Sequence, residues 1–75
     1  MSEYALGFEY ISDTVAHTGR FEELVAFEDS VIASAVIQNV TGNAFTNVPL
    51  KAGQSVEAVF TSVTLSSGKI AAYRI

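Results

Sequence analysis

The sequence predicts an all-β protein, a small antiparallel sandwich or barrel built from glycine-turn hairpins. Three observations lead there. The chain is rich in Val, Ile, Thr, Phe and Tyr, residues that suit a pleated, half-buried surface. Apolar residues recur at every second position near the N-terminus, the period of a strand with one apolar face. And the segment "FTNVPLKAG" at 45–53 returns fifteen residues later as "FTSVTLSSG" at 60–68. The 75 residues make one domain, with residues 1–20 read as an N-terminal strand or arm and 21–75 as the β core.

In order along the chain, "YALGFEYI" places Tyr4, Leu6, Phe8 and Tyr10 at alternate positions. The stretch "SDTVAHTGR" at 12–20 is polar and carries Thr18-Gly19, a turn signal. Residues 21–38 also fit helical spacing, but two strands are expected. Glu28-Asp29-Ser30 breaks the apolar pattern, and adjacent Val and Ile favour the β region. The run "VIASAVI" at 31–37 is continuously apolar, as in a strand covered on both faces. Thr41-Gly42-Asn43 is a turn cluster.

The repeat follows the form F-T-x-V-x-L-x-x-G. Val48 with Leu50, and Val63 with Leu65, each point to one face of a strand. Gly53 and Gly68 close the units, where a residue in the left-handed region ends the turn. Phe60 and Val63 are an odd number of positions apart, so a bulge at Thr61-Ser62 must absorb the slip. The same slip separates Phe45 from Val48. Pro49 lacks an N–H, so its strand is expected at a sheet edge or with the missing donor pointed outward. The alternative arrangement is a short solenoid of fifteen residues per turn, but such folds need three or more similar rungs, and two are clear.

A chain this short buries only about 60% of the surface its unfolded form exposes. It has no Cys for disulfides, and His17 is its single His. Yet 49% of residues are hydrophobic and 16% charged. Self-association covers such an apolar excess economically. The acidic N-terminus, "MSEYALGFEYISD", lacks the pattern of a signal peptide, and "VIASAVI" is too short to span a bilayer. A soluble, unexported and complete small gene product is expected, with no membrane partner. Net charge is −4: residues 1–29 carry −6 and residues 30–75 carry +2. Three dispersed cations do not make the clustered basic face of a nucleic-acid binder. The imbalance suggests an electrostatically two-ended molecule.

No catalytic constellation stands out, so an enzyme is not expected, and no cofactor or metal is implied. Glu22-Glu23 and Glu28-Asp29 are the densest carboxylates and read as solvated turn residues. His17 lacks a nucleophile nearby and reads as a surface turn histidine. The residues singled out are the turn glycines Gly42, Gly53 and Gly68, and Lys51 and Lys69 as possible partner contacts.

Thr41-Gly42-Asn43, Phe60-Thr61-Ser62-Val63-Thr64-Leu65, Ser67-Gly68-Lys69-Ile70 and Ala72-Tyr73 together resemble a segment found in short virion structural proteins of tailed bacteriophages. The resemblance covers residues 25–75. Pro49 and Lys51-Ala52 depart from its pattern. It implies a virion structural component, and it carries over no functional residue. The reading that follows is a non-enzymatic capsid cement or decoration protein. It would act as a homotrimer on the outer surface of the phage head, bound to the major capsid protein, after assembly in the host cytoplasm. The repeat region with Lys51 and Lys69 would face the shell, with the acidic third outward; in the opposite orientation the acidic segment would dock on basic capsid patches and "MSEYALGFEY" would add a strand to a neighbour's sheet. A tail or fibre component is the first rival. A small carbohydrate-binding module is the second, and it needs exposed aromatics on one face.

Overall fold

A computed structural model describes residues 7–75. The positions of Tyr4 and Leu6 in the first apolar alternation lie outside the described residues. Six strands follow one another: β1 (Phe8–Ile11), β2 (His17–Ala26), β3 (Ser30–Ile37), β4 (Thr46–Leu50), β5 (Ser55–Ser67) and β6 (Ile70–Arg74). They form one sheet in the order β1-β6-β2-β5-β3-β4. Every pairing is antiparallel. The all-β antiparallel fold expected from the sequence is therefore what the chain adopts, while the solenoid alternative, which stacks parallel rungs, is not.

The connections differ from a meander. Only β3 and β4 are neighbours both in sequence and in the sheet. The turn at Gly53 links β4 to β5 with β3 between them, and the turn at Gly68 links β5 to β6 with β2 between them. The glycine turns are thus arches between separated strands rather than hairpins. The length of β5 makes this possible. It pairs with β2 from Ser55 to Val63, with Val56 opposite Leu24, and with β3 from Phe60 to Ser67, with Leu65 opposite Ile32, so that its middle is flanked by both.

Ile11 on one edge strand and Leu50 on the other belong to the same buried cluster, with Phe21, Leu24, Ile32, Phe60, Val63, Leu65, Ile70 and Ala72. A flat sheet could not bring its two edges to one core, so the sheet curls around its own concave face. Bulges supply the bending. Val36 pairs with Ser62 and Ile37 with Phe60, which leaves Thr61 unpaired. Phe60 and Val63 consequently both point inward and are fully buried, as the parity slip required. In the first unit Asn47 takes a left-handed conformation, φ +53°, and Phe45 and Val48 both pack on the core. Pro49 lies on edge strand β4, one of the two placements expected from its missing N–H.

Two local expectations are corrected. Thr18-Gly19 is not a turn but part of β2, where the register shifts between Thr18 and Phe21. Gly19 takes φ +157° there, and a Cβ would lie 3.1 Å from the Phe21 ring, close enough that the ring would have to shift by a few tenths of an ångström. β3 is not covered on both faces, since Val36 is 60% exposed. The strand is apolar except for Ser30 and Ser34, but among the described residues its outer face meets no second layer. The expected division between residues 1–20 and 21–75 falls within β2, and β1 is an integral edge strand paired to β6.

Candidate functional site

Three features gather side chains that could meet a partner. The first is one end of the sheet, where the β2–β3 turn meets both glycine arches. Gly53 N–H donates to the Ala26 carbonyl at 2.9 Å. The Ser30 hydroxyl donates to the Glu28 carbonyl at 2.8 Å and accepts the Lys69 N–H at 3.1 Å. Gly53 and Gly68 have φ of +81° and +94°, the left-handed conformation expected of both. Gly42, φ +93°, lies in the β3–β4 loop.

Lys51 and Lys69 are at this end, but they are met by their own chain. Lys69 Nζ lies 3.7 Å from Glu28 and Lys51 Nζ 4.0 Å from Asp29. Asp29 also accepts the Ala52 N–H at 3.0 Å. At the other end of β6, Arg74 donates to Glu9 at 2.7 Å. All three cations of residues 30–75 thus pair with carboxylates of the first 29 residues. The two-ended charge distribution inferred from the linear sequence does not arise, because the sheet interleaves the two halves of the chain.

The second feature is an aromatic strip. Phe8 and Tyr10 alternate on β1 and so share a face. They are 45% and 53% exposed, while Ile11 turns into the core. The apolar alternation seen in the sequence therefore marks the outer face of β1. Phe8 contacts Tyr73 at 5.4 Å between ring centroids, and Tyr10 contacts Phe27 at 6.0 Å. Phe27, just after β2, is 56% exposed. The rings tilt by 52° and 60° in the two pairs, so they form a ridged apolar surface rather than a flat platform. Among the described residues β1 is also a free edge of the sheet. Arg74 N–H donates to the Gly7 carbonyl, and the alternation of an antiparallel ladder then directs the backbone groups of Phe8 and Tyr10 away from β6.

The third feature is a charged cluster. His17 is not a turn residue but opens β2, with its side chain 18% exposed. Its Nδ1 lies 2.8 Å from Glu9 Oε2, and its Nε2 lies 2.8 Å from Asp13 Oδ1. The two carboxylates hold the imidazole pKa above its ordinary value, Glu9 more than Asp13. In return Glu9 is lowered, chiefly by His17 and then by Arg74, and Asp13 is lowered chiefly by His17. The carboxylates sit at opposite edges of the ring. Among the described residues no group of three or more such side chains is arranged to hold a metal ion.

Glu22 and Glu23 are likewise not turn residues. Both lie in β2, and Glu23 is only 2% exposed. The register shift between Phe21 and Glu23 sets its place in the ladder, between Glu57 of β5 and Tyr73 of β6. Glu22 Oε1 is buried without a hydrogen-bond partner among the described residues.

Comparison with family models, with curated proteins and with solved structures finds no match. The functional reading therefore rests on the sequence resemblance together with the arrangement of side chains. The aromatic strip was half legible, since the alternation of Phe8 and Tyr10 was visible but Phe27 and Tyr73 join it only through the strand order. The His17 cluster had one sequence signal, the spacing of four between Asp13 and His17. Glu9 and Arg74 are brought to it by the sheet.

Proposed function

We propose that this chain is a non-enzymatic structural component of a tailed-phage virion, a cement or decoration protein. It assembles as a homotrimer and binds the major capsid protein on the outer surface of the head. The observation that carries the reading is the exposed pair Phe8 and Tyr10 on β1, an edge strand among the described residues, extended by Phe27 just after β2. Aromatic side chains clustered on a surface are the usual anchors of protein–protein contacts, and apolar area left exposed by a small fold favours a covering partner. The residues behind the phage resemblance support the reading at the level of architecture. Phe60, Val63 and Leu65 are core, and Gly68 shapes an arch.

The contact is placed on the aromatic strip rather than at Lys51 and Lys69, whose charges are met by Asp29 and Glu28. A protein that binds only the assembled shell stabilises it by mass action. The exposed aromatics also suit a carbohydrate binder, since a sugar ring stacks on the face of a single aromatic side chain; a glycan array separates the two readings.

Quantitative mass spectrometry of virions from a phage encoding the chain tests the proposal. A copy number comparable to that of the major capsid protein, with earlier heat disruption of heads lacking the chain, is the expected result. A few copies per particle would place it in the tail. Absence from purified virions, or binding on a glycan array, would overturn the virion reading.

A further inference from the structure

His17 connects parts of the chain that share no backbone ladder. β1 and β2 are separated in the sheet by β6, yet Glu9 of β1 and Asp13 of the β1–β2 link both reach the ring of His17 at 2.8 Å. Both partners are carboxylates, which accept and do not donate when ionised. A neutral imidazole has one N–H and one lone pair, so it satisfies one of them and turns the lone pair toward the other. Only the imidazolium, with two N–H groups, makes both bonds.

We propose that the β1–β2 link, residues 12–16, is a proton-dependent flap, latched to His17 through Asp13 while the ring is charged and released when the proton leaves. The Asp13 arm is the one released because the two arms are unequal. Glu9 is held a second time, by Arg74 at 2.7 Å, and its side chain is 32% exposed against 56% for Asp13. The neutral tautomer with its proton on Nδ1 keeps Glu9 and loses Asp13. Asp13 also accepts the Val15 N–H at 3.2 Å, so Val15, itself 64% exposed, moves with it.

The groups facing the ring are few. β1 contributes Glu9, the link contributes Asp13, and β6 contributes Arg74 through Glu9. β5 places Val63 and Ser62 opposite His17 and Thr18, and neither titrates. Its two carboxylate partners hold the His17 pKa above the ordinary value, so the release falls above the ordinary imidazole pKa. The flap follows the end of β1, so its release alters the border of the aromatic strip that includes Tyr10. The inference does not depend on the virion reading.

Nuclear magnetic resonance on the intact chain tests it. The His17 ring nitrogens are followed from about pH 5 to about pH 9, around the ordinary imidazole pKa of about 6.5, together with the backbone heteronuclear NOE of residues 13–16. The expected result is a His17 midpoint above the ordinary value, with NOEs of 13–16 falling over that same titration. In Asp13→Ala, a change at an exposed side chain, the NOEs should be low at both pH extremes, and the His17 midpoint should move down. A wild-type His17 midpoint at or below the ordinary value overturns the proposal. So do NOEs of 13–16 that stay unchanged through the titration, or that Asp13→Ala leaves high.

Discussion

Gly53 and Gly68 hold the same place in the two repeat units and share a left-handed backbone, but a side chain at the two positions would meet different surroundings. A Cβ on Gly53 enters open space, whereas a Cβ on Gly68 would lie 2.5 Å from Ser30 Cα. Gly53→Ala should therefore cost only the conformational penalty, about 1 kcal/mol. Gly68→Ala adds backbone crowding and should cost about 3 kcal/mol or more. Urea midpoints of the two variants check the difference, and equal losses would contradict it. The turn conformation was legible because Gly closes a repeated pattern. The approach of Ser30 was not, because no local pattern reports which strand an arch crosses. Glu23 and His17 were misread for a related reason. A polar residue looks solvated in a linear sequence until the register of neighbouring strands covers it.

At the scale of elements, strand positions followed from alternation, from the break at Glu28-Asp29-Ser30 and from Pro49 on its edge. Strand order did not. Linear reading favours pairing between successive strands, and here β5 is long enough to be shared between β2 and β3. The link between β1 and β2 makes stability depend on pH in both directions. Glu9 and Asp13 are lowered in the folded state, so their contribution is present above the ordinary carboxylate range and is lost as pH falls through the lowered values. His17 is raised, so its contribution is full below about pH 6.5 and is lost as pH rises through its folded value. Stability from this cluster should peak between about pH 5 and about pH 6.5. Denaturation midpoints measured across pH should decline on the alkaline side in the wild type. In His17→Gln that alkaline decline should disappear, and its persistence would assign the pH dependence elsewhere.

For the whole molecule, the linear charge asymmetry vanishes because each cation of residues 30–75 meets a carboxylate from the first 29 residues. The pairs of Lys51 and Lys69 are exposed, and such pairs contribute little. The double change Lys51→Ala with Lys69→Ala should alter stability by less than about 1 kcal/mol, and calorimetry can read that. The apolar excess has a clearer place. The buried cluster takes residues from all six strands, and Phe8, Tyr10 and Phe27 remain outside it. An oligomer that covers this strip is the centre of the account, and sedimentation velocity at micromolar concentration tests it most directly. The expected species has three times the 8.0 kDa mass of the chain. Phe8→Ser with Tyr10→Ser should return it to a folded monomer, since both side chains point outward. A wild-type chain that sediments as a stable 8.0 kDa monomer would contradict the account.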